Sequence, residues 1–299
     1  MLVPPPYIKR GDLVAITAPA SKLDVKSLEI SLEILQNDWG LKVLVGSTVG
    51  KSFNGFSDTD INRKNELQDF LDDPSIKLIF SARGGYGCSK IIDSLNFDKF
   101  KNIPKWVCGF SDLTALLLEI NSLGFQAIHG VMAKTMTFDS DSNLSLKKLL
   151  FGEKTNYKFK YSQLNILGKG IGEAIGGNLA LLVHSIGSQS DISYDGKILF
   201  LEDISEYYYN LDRMMLQLKR AEKFKKLQGL VIGDFSDCKE NDIPFGKNHE
   251  EIILEHISEF SFPVAFNFAF GHEKKNLAIR MGETLKIDVN KQFVSLKSI

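Results

Sequence analysis

The stretch IPKWVCGFSDLTALLLEI, residues 103–120, decides the fold. Trp106, Val107 and Cys108 read as the end of a short buried strand, Gly109 permits a sharp turn, and Asp112 to Ile120 carries an apolar helical face. Ser111 stands on the corner between them. A serine there projects its hydroxyl from a rigid edge, with the first backbone N–H groups of the helix facing any charge that forms beside it. That is the geometry of a nucleophile elbow, although Asp112 and Leu113 follow where the usual Gly-x-Ser-x-Gly pattern has a second glycine. The other reading makes Ser111 or Asp112 a helix N-cap. Caps are far commoner than nucleophiles, so taken alone the stretch favours a cap.

Outward from this stretch, strands and helices alternate. Leu13 to Thr17 reads as a strand that ends in Ala18-Pro19-Ala20-Ser21, and Lys26 to Asn37 has helical spacing. Leu41 to Val45 is a second strand, Asp60 opens a helix with Leu67, Phe70 and Leu71 on one side, and Ile76 to Phe80 is a third strand. This alternation, continued through Ile128, predicts a parallel sheet covered on both faces, whose ligands collect beyond the carboxyl ends of the strands. Ser111 lies at such an end, and so does SARGGYG, residues 81–87. Three glycines in four positions let backbone approach a ligand and present N–H donors, yet the loop lacks the Gly-Lys-Ser/Thr of a P-loop and does not match Gly-x-Gly-x-x-Gly. By itself it is equally a tight turn.

From Phe138 to Lys169 the periodicity fades, with one short helix at most around Leu144 to Leu150. The expected division is therefore an N-terminal α/β domain over 1–140, a linker over 141–168 and a second domain over 169–299. In the second half an apolar helix over Leu179–Ile186 and an amphipathic one over Arg213–Ala221 accompany strands at Lys197–Glu202, Leu230–Gly233, Pro263–Phe268 and Leu277–Ile279. Leu285 to Leu296 alternates like an edge hairpin that turns at Asn290-Lys291. Two polar residues sit awkwardly: Glu202 closes the run Ile198-Leu199-Phe200-Leu201, and His272 follows Ala269-Phe270-Gly271. Each has an ordinary structural explanation, a solvated strand end or a satisfied histidine. With Ser111 they supply a nucleophile, a base and an orienting carboxylate, although spacing alone does not show that they meet.

Charges nearly cancel, 36 Lys plus Arg against 37 Asp plus Glu, so no field favours nucleic acid or an anionic membrane. Cys88, Cys108 and Cys238 are widely separated and form neither a disulfide framework nor a metal pattern. No apolar leader and no run of 18 apolar residues is found, which predicts a soluble, cytoplasmic protein without a membrane partner.

The chain resembles the LD-carboxypeptidases of serine peptidase family S66, the group that also contains the microcin C immunity hydrolases. The matching stretches span nearly its full length: Gly11-Asp12, Ala18 to Ser21, Ala82 to Gly87, Gly109 to Leu116, His129-Gly130, Gly176 to Leu179, Leu201 to Asp203 with Asp212 to Met214, and Phe270 to His272 with Asn276-Leu277. The resemblance reverses the local preference at Ser111. It implies an N-terminal flavodoxin-like parallel-sheet domain and a C-terminal swivelling β/α domain, with a Ser111, Glu202 and His272 triad between them. It further implies a homodimer, no cofactor and no required metal. The implied substrate is a cytoplasmic murein tetrapeptide, cut between an L-centre (meso-diaminopimelate or lysine) and the terminal D-alanine. The backbone N–H groups of Asp112 and Gly85 are the candidate oxyanion donors. Arg83 is a candidate for the substrate carboxylate, or else a brace that pairs with a neighbouring Asp or Glu; Asn178 and His129 are candidates for substrate contact or for loop bracing. One departure is Glu273-Lys274-Lys275, where relatives often carry small residues and a proline. Two rival readings are an immunity-type hydrolase of aminoacyl-nucleotide conjugates and a non-catalytic sensor of cell-wall fragments. The segment Leu182 to Tyr194 carries no Trp to hold an adenine, which favours the carboxypeptidase, and the presence of all three triad residue types argues against the sensor.

Overall fold

The structure, a computed structural model, describes residues 1–299. Five parallel strands, β1 (Leu13–Thr17), β2 (Lys42–Val45), β3 (Ile76–Ser81), β4 (Trp106–Gly109) and β5 (Ala127–His129), form most of the first sheet. Their spatial order is 2-1-3-4-5, the flavodoxin-like arrangement, because the chain reverses direction across the sheet between β1 and β3. The first sheet is covered by α1 (Glu29–Glu33), α2 (Asp60–Asp72), α3 (Asp98–Asn102), α4 (Thr114–Ser122) and α5 (Ser140–Leu150). Alternate strand residues feed two cores: Val14, Ile16, Leu78, Phe80 and Trp106 on one face, Ala15, Ile79 and Val107 on the other. A sheet buried on both faces gives nearly continuous apolar strands, which is why these were legible from sequence.

The second sheet contains β6 (Asn156–Lys160), β7 (Gly168–Asn178), β8 (Lys197–Ile204), β9 (Gly229–Ser236), β10 (Val264–Ala265), β12 (Thr284–Val289) and β13 (Phe293–Ser298), in the order 10-9-8-7-12-13-6. Strands β7 to β10 are parallel, whereas β12, β13 and β6 add antiparallel. Helices α6 (Leu179–Ser185), α7 (Tyr208–Arg220) and α8 (His249–Ile257) cover one face. Helix α4 joins the halves: its residues Thr114 to Asn121 are all buried, and Leu118 enters the core of the second sheet.

Four sequence expectations are revised. The strand expected over Leu277–Ile279 lies at Ile279–Met281, and this β11 pairs antiparallel with β5 of the first sheet, protecting an edge that would otherwise present unpaired backbone. Residues 141–168, expected as a linker, contain most of α5 and all of β6; Leu146, Leu149 and Leu150 of α5 pack into the first core. The hairpin of β12 and β13 is not at an edge, since β6 covers it. The strand expected over Pro263–Phe268 is only Val264–Ala265, because Phe266 N–H turns to Asn165 Oδ1 (2.8 Å) and Asn267 takes a left-handed φ of 65°.

Candidate active site

The corner at Ser111 is an elbow and not a cap. Ser111 has φ 61°, a left-handed backbone that costs a non-glycine residue roughly 1 kcal/mol or more. No side chain caps the short turn over Ser111–Leu113 or helix α4 that follows it. The Asp112 carboxylate is turned the other way, where Oδ2 accepts Cys88 N–H at 2.8 Å, and burial raises its pKa. Ser111 therefore spends conformational energy without gaining a cap hydrogen bond, as a presented nucleophile does.

The glycine-rich loop lies directly against it. A Cβ placed on Gly84 would stand 3.0 Å from Ser111 Cβ, 3.1 Å from Ser111 Oγ and 3.6 Å from the Asp112 nitrogen, so only glycine leaves room beside the hydroxyl. Gly85 has φ 117° and packs so closely on Ser21 that a Cβ would overlap the Ser21 hydroxyl. Ser21 Oγ in turn accepts Tyr86 N–H at 3.3 Å. Arg83 donates from Nη1 to the Lys22 carbonyl at 2.9 Å and makes no ion pair with an Asp or Glu, so the rest of its guanidinium is available.

Glu202 and His272 meet as expected. Asn178 at the end of β7 is paired with Glu202 on β8, and its N–H donates to Thr114 Oγ1 at 3.1 Å, which ties this strand end to the start of α4. His272 Nδ1 lies 2.6 Å from Glu202 Oε2, and Glu202 is 0% exposed with Oε1 unpartnered. Phe110, next to Ser111, brings its ring centroid within 4.9 Å of the His272 ring, so the Ser111 corner and the His272 loop lie side by side. Burial works to lower the His272 pKa, but the hydrogen bond and charge of Glu202, with Asp203 and Asp234 behind it, prevail and raise it. Asp203 and Asp234 are themselves pushed up to about 7 by burial, reinforced at Asp203 chiefly by the Glu202 charge.

Asn178 and His129 are internal. Asn178 is 4% exposed; its Oδ1 accepts Leu181 N–H at 3.2 Å as the N-cap of α6, and its Nδ2 donates to Asp203 Oδ1 at 2.9 Å. Both ends of the amide thus have a partner within the fold. His129 is fully buried, stacked 3.8 Å from Phe270 and 5.7 Å from Phe110, and burial holds its pKa well below the usual imidazole value.

Sequence reasoning passed over Arg63. It is 0% exposed, with Nη1 bonded to the Pro19 carbonyl and to Gly87 O at 3.0 Å, Nε to Asp58 O at 3.2 Å, and Nη2 paired with Asp60. One guanidinium thereby clasps the loop after β1, the turn before α2 and the glycine-rich loop. Its spacing to Leu67 and Phe70 on α2 placed it on the buried face, and that was the available signal. No group of three or more His, Cys, Asp or Glu is arranged to hold a metal ion.

Known proteins match both halves of the chain. The family model described as the LD-carboxypeptidase N-terminal domain matches residues 14–130, and that of the LD-carboxypeptidase C-terminal domain matches 171–287. A probable murein peptide carboxypeptidase of Bacillus subtilis is 31% identical over 285 residues, covering 93% of this chain and 89% of its own. The murein tetrapeptide carboxypeptidase of Pseudomonas aeruginosa is 28% identical over 292 residues, covering 93% and 94%. Among solved structures, the muramoyltetrapeptide carboxypeptidase of Oxalobacter formigenes superposes with a TM-score of 0.86 at 26% identity, over 96% of this chain and 98% of that one. The microcin C7 self-immunity protein MccF, in complex with aspartyl sulfamoyl adenosine, has the same fold, with a TM-score of 0.86 at 23% identity over 100% and 99%.

Proposed function

Because the chain belongs to the LD-carboxypeptidase family of serine peptidases, S66, we propose that it hydrolyses the amide between an L-centre, meso-diaminopimelate or lysine, and the terminal D-alanine of murein tetrapeptides. The observation that carries this is the approach of Ser111, held at φ 61° beyond the carboxyl end of β4, to the pair formed by Glu202 of β8 and His272 of the loop between β10 and β11. The names of the relatives supply the substrate class.

In this mechanism His272 Nε2 takes the Ser111 proton as Oγ attacks the scissile carbonyl, and returns it to the departing D-alanine amine. Glu202 keeps the other ring proton on Nδ1 and stabilises the imidazolium. The oxyanion lies on the N–H groups of Asp112 and Gly85, in the space that the missing Gly84 side chain leaves beside Ser111. Water entering on the same side is activated by His272 and releases the tripeptide. An exopeptidase must also bind a free carboxylate, and the free donors of Arg83 at the rim of the glycine-rich loop suit that task. No helix is long and apolar enough to cross a membrane. Action in the cytoplasm and assembly as a homodimer come with the family resemblance and complete the proposal.

The test is mass spectrometry of the purified protein with L-Ala-γ-D-Glu-meso-diaminopimelate-D-Ala, its C-terminally amidated analogue and an aminoacyl sulfamoyl adenosine, each incubated separately. Loss of one D-alanine from the free tetrapeptide, with poor cleavage of the amide, supports the carboxypeptidase. Cleavage of the adenosine conjugate alone would assign the immunity-type reaction, and binding without any cleavage a sensor.

A further inference from the structure

Ser111 opens the turn after β4 of the first sheet, His272 sits in the loop between β10 and β11, and the Glu202–His272 bond lies wholly within the second half of the chain. That bond orients the ring but does not set its reach to Ser111. A separate chain of buried hydrogen bonds ties the His272 loop to the first domain. The loop is closed at its base by Leu277 N–H on the Ala269 carbonyl, at 2.8 Å. Inside it, Asn276 Oδ1 accepts Gly271 N–H at 3.2 Å, on the residue just before His272. Asn276 N–H donates in turn to Ser142 Oγ of α5 at 2.8 Å, and Ala278 N–H to Ser145 Oγ at 2.9 Å. Ser142 is itself fixed: its hydroxyl donates to Asp139 Oδ2 at 2.6 Å, and its N–H to the same oxygen at 2.7 Å. Asn276 is 2% exposed and Ser142 1%.

We propose that Asn276 and Ser142 are positioning residues that latch the His272 loop onto α5 and so hold His272 Nε2 within reach of Ser111. This rests on the triad assignment above. Buried bonds of this kind are the ones able to fix a distance across two domains, whereas the nearby Lys275–Asp141 pair (2.6 Å) joins side chains 47% and 63% exposed, and such pairs contribute little. The latch also accounts for α5: its buried Ser142 and Ser145 dilute the apolar periodicity of the helix, yet both hydroxyls are occupied by the backbone of the loop. Asn276 does not touch the reacting atoms. Its part is to receive the Gly271 N–H while its own backbone is held from α5.

The test uses the full-length chain as wild type, Ser142→Ala, Ser142→Thr and Asn276→Ala. Each is measured for D-alanine release, for the rate at which a fluorophosphonate labels Ser111, and for melting temperature. The latch predicts that Ser142→Ala and Asn276→Ala lower kcat and the labelling rate in parallel by about tenfold or more, since displacements near 1 Å cost up to about 100-fold, with KM within about twofold. Ser142→Thr, which keeps the hydroxyl, recovers most of both rates. A merely structural role would lower the melting temperature and leave the rates of the folded protein unchanged, and that result overturns the proposal. If Asn276→Ala does not fold, Ser142→Ala decides. Failure of wild type to release D-alanine while Ser111 still labels would refute the substrate and leave the labelling rates to decide the latch; absence of labelling would refute the triad and the latch together.

Discussion

Replacing Glu202 with Gln should separate catalysis from stability. The carboxylate is fully buried, and its Oε2 accepts the Nδ1 proton of His272 at 2.6 Å. Glutamine has the same shape but can donate its amide N–H to Nδ1, which moves the ring proton to Nε2, the nitrogen that has to be bare to receive the Ser111 proton. The imidazolium formed during attack also loses its counter-charge. Together these should lower kcat by about 10⁴-fold, roughly 5.4 kcal/mol at about 1.36 kcal/mol per decade. Stability should hardly change. Loss of charge assistance in the Nδ1 bond costs about 1 kcal/mol, but a buried charge with one unpartnered oxygen, set beside Asp203, is relieved. The two effects should cancel to within about 1 kcal/mol, a shift of about 4 °C or less in melting temperature. D-alanine release coupled to a D-amino-acid oxidase measures the first effect and thermal melting the second. A variant that keeps its rate within tenfold of wild type would refute Glu202 as the orienting group; one that melts far below wild type would refute the account of its buried charge.

Three further outcomes follow from the same geometry. Gly84→Ala places a methyl group 3.0 Å from Ser111 Cβ and intrudes on the oxyanion space, so kcat should fall about 100-fold or more with the fold intact by circular dichroism. Arg63→Met leaves the Pro19, Gly87 and Asp58 carbonyls without their donor and should destabilise the protein by about 3 kcal/mol or more in denaturant titration, with Arg63→Lys falling between. The pH dependences of activity and stability should oppose each other. His272 must be neutral to act as base and its pKa is raised, so kcat/KM should climb with pH through a midpoint above the imidazole value of about 6.5. Asp234 is raised to about 7, so the stability it contributes is full below its unfolded pKa near 4 and is lost as pH rises through 7. The melting temperature of Asp234→Asn relative to wild type should therefore increase from pH 5 to pH 8; a flat or falling difference would contradict the assignment.

The first sheet was legible because burial on both faces writes itself as unbroken apolar runs; the corner at Ser111 was legible as the junction of a strand, a glycine and an apolar helix, but those residues alone favour a cap there, and it was the family resemblance that pointed to a nucleophile. The pairing of Glu202 with His272 was not legible from spacing: 70 residues separate them, and β8 and the His272 loop meet only in the folded sheet. Helix α5 was half hidden, because Ser142 and Ser145 serve another segment more than 130 residues away and break the pattern that marks a helix. Strand β11 lies in the half of the sequence that reads as the second domain, yet it joins the first sheet. Its apolar residues Ile279 and Met281 pack into the core of the second sheet while its backbone pairs with β5 of the first, and sequence reports only the side chains. Arg63 shows the converse. On α2 it resembles half of an i,i+3 surface pair with Asp60, and only the three loops converging on its guanidinium reveal a buried clasp.

The most direct measurement compares wild type with Ser111→Ala on the free murein tetrapeptide, following D-alanine release and, in parallel, peptide binding by calorimetry. The mechanism predicts that release falls to the uncatalysed background while binding persists. Release by Ser111→Ala within tenfold of wild type would contradict the assignment of Ser111 as nucleophile, and with it the triad.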